Sequence, residues 1–431
     1  MATLTEESTT AGLADAPDPD LDVLVATEED RRARQVNLLA GENDASPRVL
    51  ALLGSVFADK YAEGYPERRH HTGCGPADSV ESLAVARAEA LFGAQHANVQ
   101  PYSGSIAVLA AAAALLRPGD AVLAMSLAHG GHLTHGSSAN FSGKWFSVSG
   151  YGVSERDGLI DLDQVRDQAR ALRPKVIVAG AISYPRAIDW EAFRSVADEV
   201  GAYLVADAAQ TLGLSAAGVI PSPVPYADIV CGVTHKVLGG PRGGLILSTR
   251  ELAERVDRAV FPFIQGGPMV NQMAAKAYTL GRAATPAFAQ YAQQTVRNAQ
   301  RLAAALDGHG LRPLTGGTDT HLVTVDARSL GLTGREVERR CEEAGLLLGH
   351  CAVPYEEAPP AAASGLRMGT LSVTTRGMGE PEMSGIAGLV HAAATGATGP
   401  ARESVTEGVR ALAERFPGLS TKPQCGDSAS G

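Results

Sequence analysis

The chain has 431 residues, of which 45% are hydrophobic and 19% are charged, and its net charge is −10. This length allows one large domain with a sizeable core and a smaller second domain, and the composition is that of an ordinary globular protein. The negative charge argues against nucleic acid as the main partner.

Cysteine usage and hydropathy indicate the compartment. The five cysteines are scattered, with neither paired metal-ligand spacing nor a disulfide framework, which suits a reducing environment. No run of about 18 apolar residues occurs, so no membrane partner is expected. Residues 1–22 are acidic and lack the positively charged start of a signal peptide. The sequence therefore predicts a cytoplasmic protein.

The first hundred residues are expected to form a tail, helices and one polar loop. Residues 1–19 have the composition of a disordered tail. Helices are predicted over 28–39, 47–57 and 80–91. Between them, residues 60–74 (KYAEGYPERRHHTGC) combine Tyr, Arg, His and Gly without an amphipathic period. This clustering favours a functional loop over a plain connector.

A predicted anion site follows the strand 97–100. Ser103, Gly104 and Ser105 open an alanine-rich helix, so free backbone N–H groups and two hydroxyls face one point. Taken alone this indication is weak, because serine is also an ordinary helix N-cap.

Three histidines follow the predicted strand 121–125. His129, His132 and His135 recur every third residue, which raises the question of a metal site. The Gly130-Gly131 pair argues against the helix that such spacing needs, and no carboxylate is built in, so no metal is expected. Stacking of one ring on a planar ligand is the better functional interpretation.

Alternating strands and helices from about residue 97 to 250 predict a mainly parallel sheet covered on both faces. The strand 203–206 is followed by Asp207, and in open α/β sheets ligands bind at the carboxyl ends of strands. Asp207 is therefore a candidate site residue.

A lysine ends the next apolar run, residues 229–233. Lys236 is followed by a glycine-rich segment, GGPRGG, at 239–244. Burial lowers the pKa of an amine, and the neutral amine attacks a carbonyl to form a Schiff base. A surface lysine in a turn is the commoner meaning of this pattern in isolation. A Walker phosphate loop is excluded, because the lysine precedes the glycines.

The C-terminal part reads as helices over 271–284 and 287–306 and then a separate α+β region. Within that region Arg367 stands among small residues, which suits two-pronged binding of a carboxylate, although a surface ion pair is the simpler explanation. We expect a tail or arm at 1–27, a large domain at 28–290, an α+β domain at 291–395 and a tail at 396–431. Residues 405–416 are expected to form one loose helix in that tail.

Four of these predicted features together match the needs of pyridoxal phosphate: an anion site, a strand-end acid, a strand-end lysine and a carboxylate-binding arginine. Over roughly residues 28 to 394 the chain resembles the serine hydroxymethyltransferase family. The resemblance rests on several short motifs in order: KYAEGYP (60–66), ANVQPYSGS (97–105), LAHGGHLTHGS (127–137), NFSGK (140–144), VPYAD (224–228), THK (234–236), GPRGGLIL (240–247), IQGGP (264–268), SGLRMGT (364–370) and TTRGM (374–378). It implies a fold-type I transferase with a mainly parallel seven-stranded sheet and a smaller C-terminal α+β domain.

The resemblance also implies roles for individual residues. Lys236 would bind the cofactor covalently, Asp207 would hold the pyridinium proton, and Arg367 would grip the substrate carboxylate. His129 would stack on the ring, and Ser183 would contact its phenolic oxygen. The phosphate would be surrounded by Ser103, Gly104, Ser105 and His235, and by Gly266 and Gly267 of a neighbouring subunit. Tyr61 and Glu63, also from that neighbour, would handle protons at the substrate hydroxyl, so a homodimer with shared sites is implied.

Several positions depart from the family pattern. Gly41 stands where the family has serine, His70 and His71 replace a tyrosine pair, and Tyr102 replaces histidine. Gln210, expected near the cofactor, replaces another histidine. The segment Gly349-His350-Cys351 replaces Asn-Lys-Asn. These departures leave the cofactor residues intact and alter the surroundings of the second substrate.

Three functions remain open at this stage. The first is folate-independent aldol chemistry through glycine on L-threonine or L-serine, as in a threonine aldolase or a transaldolase that uses an unusual aldehyde such as a nucleoside 5′-aldehyde. The second is serine hydroxymethyltransferase itself, with tetrahydrofolate as acceptor. The third, a non-catalytic binding relative, is disfavoured because Lys236, Asp207 and Arg367 are all present.

Overall fold

The computed structural model describes residues 17–357, 363–396 and 399–419. The expectations for residues 1–16 and for those after 419 lie outside the described residues. None of the described helices combines the length and apolarity needed to cross a bilayer.

A seven-stranded sheet forms the centre of the large domain. Its strands are, in spatial order, His96–Asn98, Gly244–Ser248, Ile229–Val233, Tyr203–Asp207, Val176–Gly180, Ala121–Met125 and Ser147–Tyr151. The last five are mutually parallel, whereas Gly244–Ser248 runs antiparallel to both of its neighbours. The predicted mainly parallel sheet is confirmed.

The central strands are mostly apolar and buried because helices cover both faces of the sheet. All five residues are buried in Val176–Gly180, Ile229–Val233 and Gly244–Ser248. Separate hydrophobic clusters lie on the two faces. The α-helices up to residue 308 are Pro19–Arg34, Pro47–Leu53, Gly75–Phe92, Gly104–Leu115, Phe141–Trp145, Leu162–Leu172, Trp190–Val200, Leu212–Ala216, Ala253–Arg258, Val270–Ala283 and Pro286–Gly308.

A four-stranded antiparallel sheet with its own hydrophobic cluster follows in the chain. Its strands are, in spatial order, Arg312–Pro313, Leu322–Asp326, Gly365–Gly369 and Gly349–Cys351. The remaining α-helices are Gly334–Glu343, Leu371–Thr375, Glu380–Ala394 and Pro400–Arg415. Two further pairs of short strands are Val36–Asn37 with Leu346–Leu347, and Gly64–Tyr65 with Arg68–Arg69.

The first helix differs most from its prediction. It spans Pro19–Arg34 rather than 28–39, because the Asp18 side chain caps its start and proline occupies the first turn. The second helix ends at Leu53, and a 3₁₀ turn, Val56–Asp59, takes up the rest of the predicted length. Both differences arise from capping residues, which a hydrophobic period does not register.

Candidate active site

The carboxyl ends of four neighbouring parallel strands gather the candidate residues along one edge of the large sheet. These strands are Ala121–Met125, Val176–Gly180, Tyr203–Asp207 and Ile229–Val233. The residues at or soon after their ends are His132, Ser183, Asp207 and Lys236. The sheet topology therefore brings together positions that lie up to about a hundred residues apart, as expected for an open α/β sheet.

Asp207 is fixed by a histidine from the adjacent turn. One carboxylate oxygen lies 2.7 Å from His135 Nε2, and the other accepts a hydrogen bond from Ala209 N at 3.0 Å. Burial alone would raise the pKa of Asp207, but the hydrogen bond and the charge of His135 outweigh burial and lower the pKa to about 2. Asp207 is thus ionised at neutral pH and suited to a protonated ring nitrogen.

His132, rather than His129, faces this edge. His132 lies close enough to Asp207, Lys236 and Arg367 for their charges to act on it. The His129 Nδ1 atom instead accepts a hydrogen bond from Val153 N at 3.1 Å, and its ring centroid is 4.8 Å from that of Tyr355. The geometry therefore favours His132 over His129, the sequence-based choice, as the ring available to a planar ligand at this edge.

A short turn brings two of the three histidines together without the helix that their three-residue spacing would require. The 3₁₀ turn Leu133–His135 brings the His132 and His135 rings to 5.8 Å, and ligand-type atoms of both lie within 4.8 Å of each other and of Asp207. The sequence pattern argues against such a grouping, because the spacing needs a helix and the motif contains no carboxylate; here a 3₁₀ turn replaces the helix and Asp207 comes from a neighbouring strand. In the structure these groups are engaged in hydrogen bonds, His135 with Asp207 and His132 with Thr134.

Lys236 has the environment of an amine that reacts as a nucleophile. It follows the buried strand Ile229–Val233, and its backbone carbonyl accepts a hydrogen bond from Asn43 Nδ2 at 2.8 Å. Burial lowers the pKa of its ammonium to about 8, helped by the positive charges of Arg367 and Arg242 and opposed by Asp207. A sizeable fraction of the amine is therefore neutral near pH 8.

The predicted anion site is built from close backbone approaches. Ser103 caps the helix Gly104–Leu115 by accepting a hydrogen bond from Ile106 N at 3.2 Å. A Cβ atom at Gly104 would lie 2.6 Å from Val233, and one at Gly244 would lie 2.3 Å from the Ser103 carbonyl. The helix start is therefore pressed against the strands that lead to and from the lysine, and the N–H groups of Gly104 and Ser105 are its candidate donors to an anion.

His235 lies two residues beyond the end of the strand Ile229–Val233, next to Lys236. Its Nδ1 atom is buried and has no hydrogen-bond partner among the described residues. Burial and the charges of Lys236 and Arg242 lower its pKa to about 3, so the ring is neutral and can donate one N–H group.

Arg367 reaches the same edge from the second sheet. Its Nη1 atom donates a hydrogen bond to the Ile182 carbonyl at 3.3 Å, which places it beside Ser183. Its Nε atom is buried without a partner in the described part of the chain, and so is Gln210 Oε1. Burial lowers the pKa of Arg367, but an arginine guanidinium stays charged at neutral pH. An arginine with an unused buried donor is suited to a carboxylate ligand.

His321 belongs to this site but was missed by sequence analysis. It is fully buried, its Nε2 atom lies 3.2 Å from the Ala40 carbonyl, and the charges of Lys236 and Arg367 act on it. Burial lowers its pKa to about 3, so it is neutral. It precedes the strand Leu322–Asp326, far in sequence from every motif, and no local pattern marks it.

The residues assigned to a neighbouring subunit form a second group on the same chain. Tyr61 and Glu63 lie against Gly267, since a Cβ there would be 3.3 Å from Glu63 Cγ and 3.7 Å from Tyr61 Cζ. Tyr102 Oη donates a hydrogen bond to the Gly267 carbonyl at 2.6 Å, and a Cβ at the adjoining Gly266 would lie 3.5 Å from Glu63 Oε1. Among the described residues no hydrogen bond or ion pair links Tyr61 or Glu63 to Lys236.

The donor set fits pyridoxal phosphate. It offers an ionised Asp207 for the ring nitrogen, a partly neutral Lys236 for the aldehyde, and unused polar atoms on His235 and Arg367. The fold and this site define a pyridoxal phosphate-dependent enzyme of fold type I.

Comparison with known proteins narrows this class. The family model described as Serine hydroxymethyltransferase matches residues 14–390. The protein named Serine hydroxymethyltransferase from Coprothermobacter proteolyticus is 47% identical over 400 residues, which are 93% of this chain and 96% of that protein. The chain belongs to the serine hydroxymethyltransferase family, and the resemblance noted in its motifs is confirmed.

Gly41, one of the departures from the family, adjoins the reactive lysine. A Cβ atom at Gly41 would lie 4.0 Å from Lys236 Cε, its nearest neighbour, so a serine fits there. We expect Gly41→Ser to lower the amino acid concentration needed for half-saturation about 2- to 12-fold, because the new hydroxyl can form one hydrogen bond with the substrate. One such bond is worth ~0.5–1.5 kcal/mol. Titration of the bound cofactor's absorbance with glycine measures it. Gly41→Ala is the matched control, and equal effects of the two variants would remove the hydroxyl from the explanation.

Proposed function

We propose that the protein catalyses the reversible conversion of L-serine to glycine with tetrahydrofolate as the one-carbon acceptor. The observation that carries this proposal is the 47% identity to a serine hydroxymethyltransferase over nearly the full length of both chains. It is supported by the grouping of Lys236, Asp207 and Arg367 at one sheet edge. This reaction fits the comparisons better than the folate-independent chemistry favoured by the sequence analysis.

Each residue has a role set by its position. When bound, pyridoxal phosphate supplies an electron-accepting ring that stabilises negative charge on the amino acid. Asp207 holds a proton at the ring nitrogen, because His135 keeps its carboxylate ionised. Arg367 binds the substrate's carboxylate and so would orient the bond to be broken perpendicular to the plane of the cofactor ring. His132 would cover one face of the bound cofactor and exclude water from it, because it lies near Asp207 and Lys236.

Proton transfer at the substrate hydroxyl is assigned to Glu63 and Tyr61. Tyr61 Oη lies 3.3 Å from Glu63 Oε1, and Tyr61 is 59% exposed. Because this pair has no contact with Lys236 within the described residues, we propose that it serves the site of a second copy. A homodimer would also bring Gly266 and Gly267, which adjoin the pair, towards that copy's phosphate.

A second candidate function is supported by the altered acceptor side. His71 Nε2 lies 3.1 Å from Glu63 Oε2, and its ring centroid is 4.7 Å from that of Tyr61. Cys351 lies in the strand Gly349–Cys351, which pairs with the strand that carries Arg367. Burial raises the pKa of its thiol to about 12, so Cys351 is neutral and forms only weak hydrogen bonds. Losing one aromatic contact and one hydrogen bond would weaken folate binding by roughly 1–3 kcal/mol. Transfer of glycine to another aldehyde would not need those contacts.

One assay separates the two candidates. Glycine formation from L-serine and from L-threonine is measured with and without tetrahydrofolate, and with a panel of aldehydes. We expect serine cleavage to depend strongly on tetrahydrofolate and threonine to be a poor substrate. Rapid threonine turnover that is unaffected by tetrahydrofolate, with a new β-hydroxy amino acid formed from an added aldehyde, would replace the proposal by the transaldolase alternative.

A further inference from the structure

A lysine buried behind the anion site is not used by the chemistry described above. Lys276 lies in the middle of the helix Val270–Ala283 and has 0% of its surface exposed. Its ammonium donates hydrogen bonds to three backbone carbonyls, those of Val99 at 2.6 Å, Pro101 at 3.0 Å and Gly244 at 2.9 Å. All three donors of the ammonium are therefore satisfied by backbone alone.

Those three carbonyls belong to the two segments that form the phosphate-binding site. Gly244 N donates a hydrogen bond to the Pro101 carbonyl at 2.9 Å, two residues before Ser103. The ammonium thus joins the segment that leads into the helix Gly104–Leu115 to the strand Gly244–Ser248. Moving either segment would shift the free N–H groups at residues 103–105.

Two other side chains of the same helix also bind backbone carbonyls of these segments. Gln272, one turn before Lys276, donates to the Arg242 carbonyl at 2.5 Å and to the Tyr102 carbonyl at 3.4 Å. Arg282 donates to the Leu238 carbonyl at 2.5 Å. Side chains of this helix therefore hold the glycine-rich segment after Lys236 and the segment before Ser103 in a fixed arrangement.

The charge of Lys276 is not cancelled by a bonded acid. Among the described residues its hydrogen bonds go only to carbonyls, and the nearest acid acting on it is Glu81. Glu81 is itself engaged by Arg69 at 2.5 Å and by Gln100 Nε2 at 2.8 Å. Burial lowers the pKa of Lys276 to about 7, and Glu81 opposes that shift. A buried ammonium that is bonded only to carbonyls destabilises the fold unless a negatively charged group nearby interacts with its charge.

We propose that Lys276 is a positioning residue for the cofactor's phosphate: it fixes the segments around residues 99–105 and 244 and supplies positive charge behind them. The proposal rests on the assignment of Ser103, Gly104 and Ser105 to the phosphate. A role confined to folding would stabilise the protein equally with or without a phosphate on the ligand. A role directed at the phosphate acts only on ligands that carry one.

The test compares pyridoxal phosphate with pyridoxal, which lacks the phosphate. Full-length protein is stripped of cofactor, and the dissociation constants of both ligands are measured by fluorescence quenching. For Lys276→Met we expect pyridoxal phosphate to bind at least about tenfold more weakly, while pyridoxal changes by less than about threefold. Arg87→Met is the matched control, because Arg87 donates to the Ala277 carbonyl on the same helix without contacting the phosphate segments. The control should leave the ratio of the two constants unchanged.

Lys276→Gln covers the case in which the methionine variant does not fold, since it keeps two N–H donors and removes the charge. Like Lys276→Met, it should raise the ratio of the pyridoxal phosphate dissociation constant to the pyridoxal dissociation constant. Equal weakening of both ligands, or no change in the ratio, would overturn the proposal. If the unaltered protein binds the two ligands equally, the assignment of the phosphate site fails instead, so the two failures are distinguishable.

Discussion

Lys236→Ala is expected to lose the covalent adduct with pyridoxal phosphate and to reduce glycine formation by at least about 10³-fold. The reason is that this amine, whose pKa burial lowers to about 8, is the nucleophile that the site presents to the cofactor aldehyde. Reduction with borohydride followed by mass spectrometry of peptides locates the adduct in the unaltered protein and measures its loss in the variant.

The control for this experiment is Lys144→Ala, because Lys144 is exposed at the end of the helix Phe141–Trp145. It should keep both the adduct and the activity. The informative competitor is Lys276, which is fully buried and also has a lowered pKa. An adduct found on Lys276, or one that persists unchanged after Lys236→Ala, would contradict the assignment of Lys236.

The same variant also tests the shared site. If Glu63 acts in the neighbouring subunit, a mixture of Lys236→Ala and Glu63→Gln chains should recover part of the activity after subunit exchange, because a hybrid dimer contains one intact site. Neither variant should be active alone. A mixture as inactive as the separate variants, with exchange demonstrated by mass, would place Glu63 in its own chain's site or outside it.

The large sheet and two of its site residues could be predicted from the sequence because their signals are local. Asp207 and Lys236 each follow a run of apolar residues that is long enough for a buried strand and too short for a helix. Parallel strands then place both residues at one edge without further information. Glycines after Lys236 and serines before a helix likewise mark close backbone approaches within a few residues.

The choice among the three histidines could not be made in this way. His129 and His132 are separated by two glycines, of which Gly130 adopts a φ of +103°, so the backbone reverses between them. Which ring then faces Asp207 depends on the 3₁₀ turn Leu133–His135 and on the contact of His129 with Tyr355, more than two hundred residues away. Neither determinant is visible in the local pattern.

His321 and Lys276 were missed for a related reason. Lys276 stands in a helix, where a lysine normally faces solvent, and only the folded structure shows that it is fully buried and bonded to the backbone of Val99, Pro101 and Gly244. Its partners are carbonyls, which every residue possesses, so the sequence carries no complementary side chain to look for. Polar side chains that bind backbone are in general hidden from motif analysis.

Arg367 illustrates the opposite case, a residue whose local pattern favoured a surface ion pair and whose structural position favours a ligand. Its strand Gly365–Gly369 pairs with Leu322–Asp326 on one side and Gly349–Cys351 on the other, so it lies within the second sheet. In the described chain its side chain has no acidic partner, and it donates only to the Ile182 carbonyl, at 3.3 Å. Its Nε atom is buried and unused.

Arg367→Lys is therefore expected to raise the amino acid concentration needed for half-saturation by roughly 10- to 150-fold. Lysine keeps the charge but loses the planar two-pronged donor, and one charge-assisted hydrogen bond is worth ~1.5–3 kcal/mol. The measurement is a titration of cofactor absorbance with glycine and with L-serine. Arg328→Lys is the matched control, because Arg328 pairs with Asp326 at 2.7 Å and is half exposed. An unchanged half-saturation value would remove Arg367 from substrate binding, whereas an increase for both amino acids alike would place its contact on the carboxylate that they share.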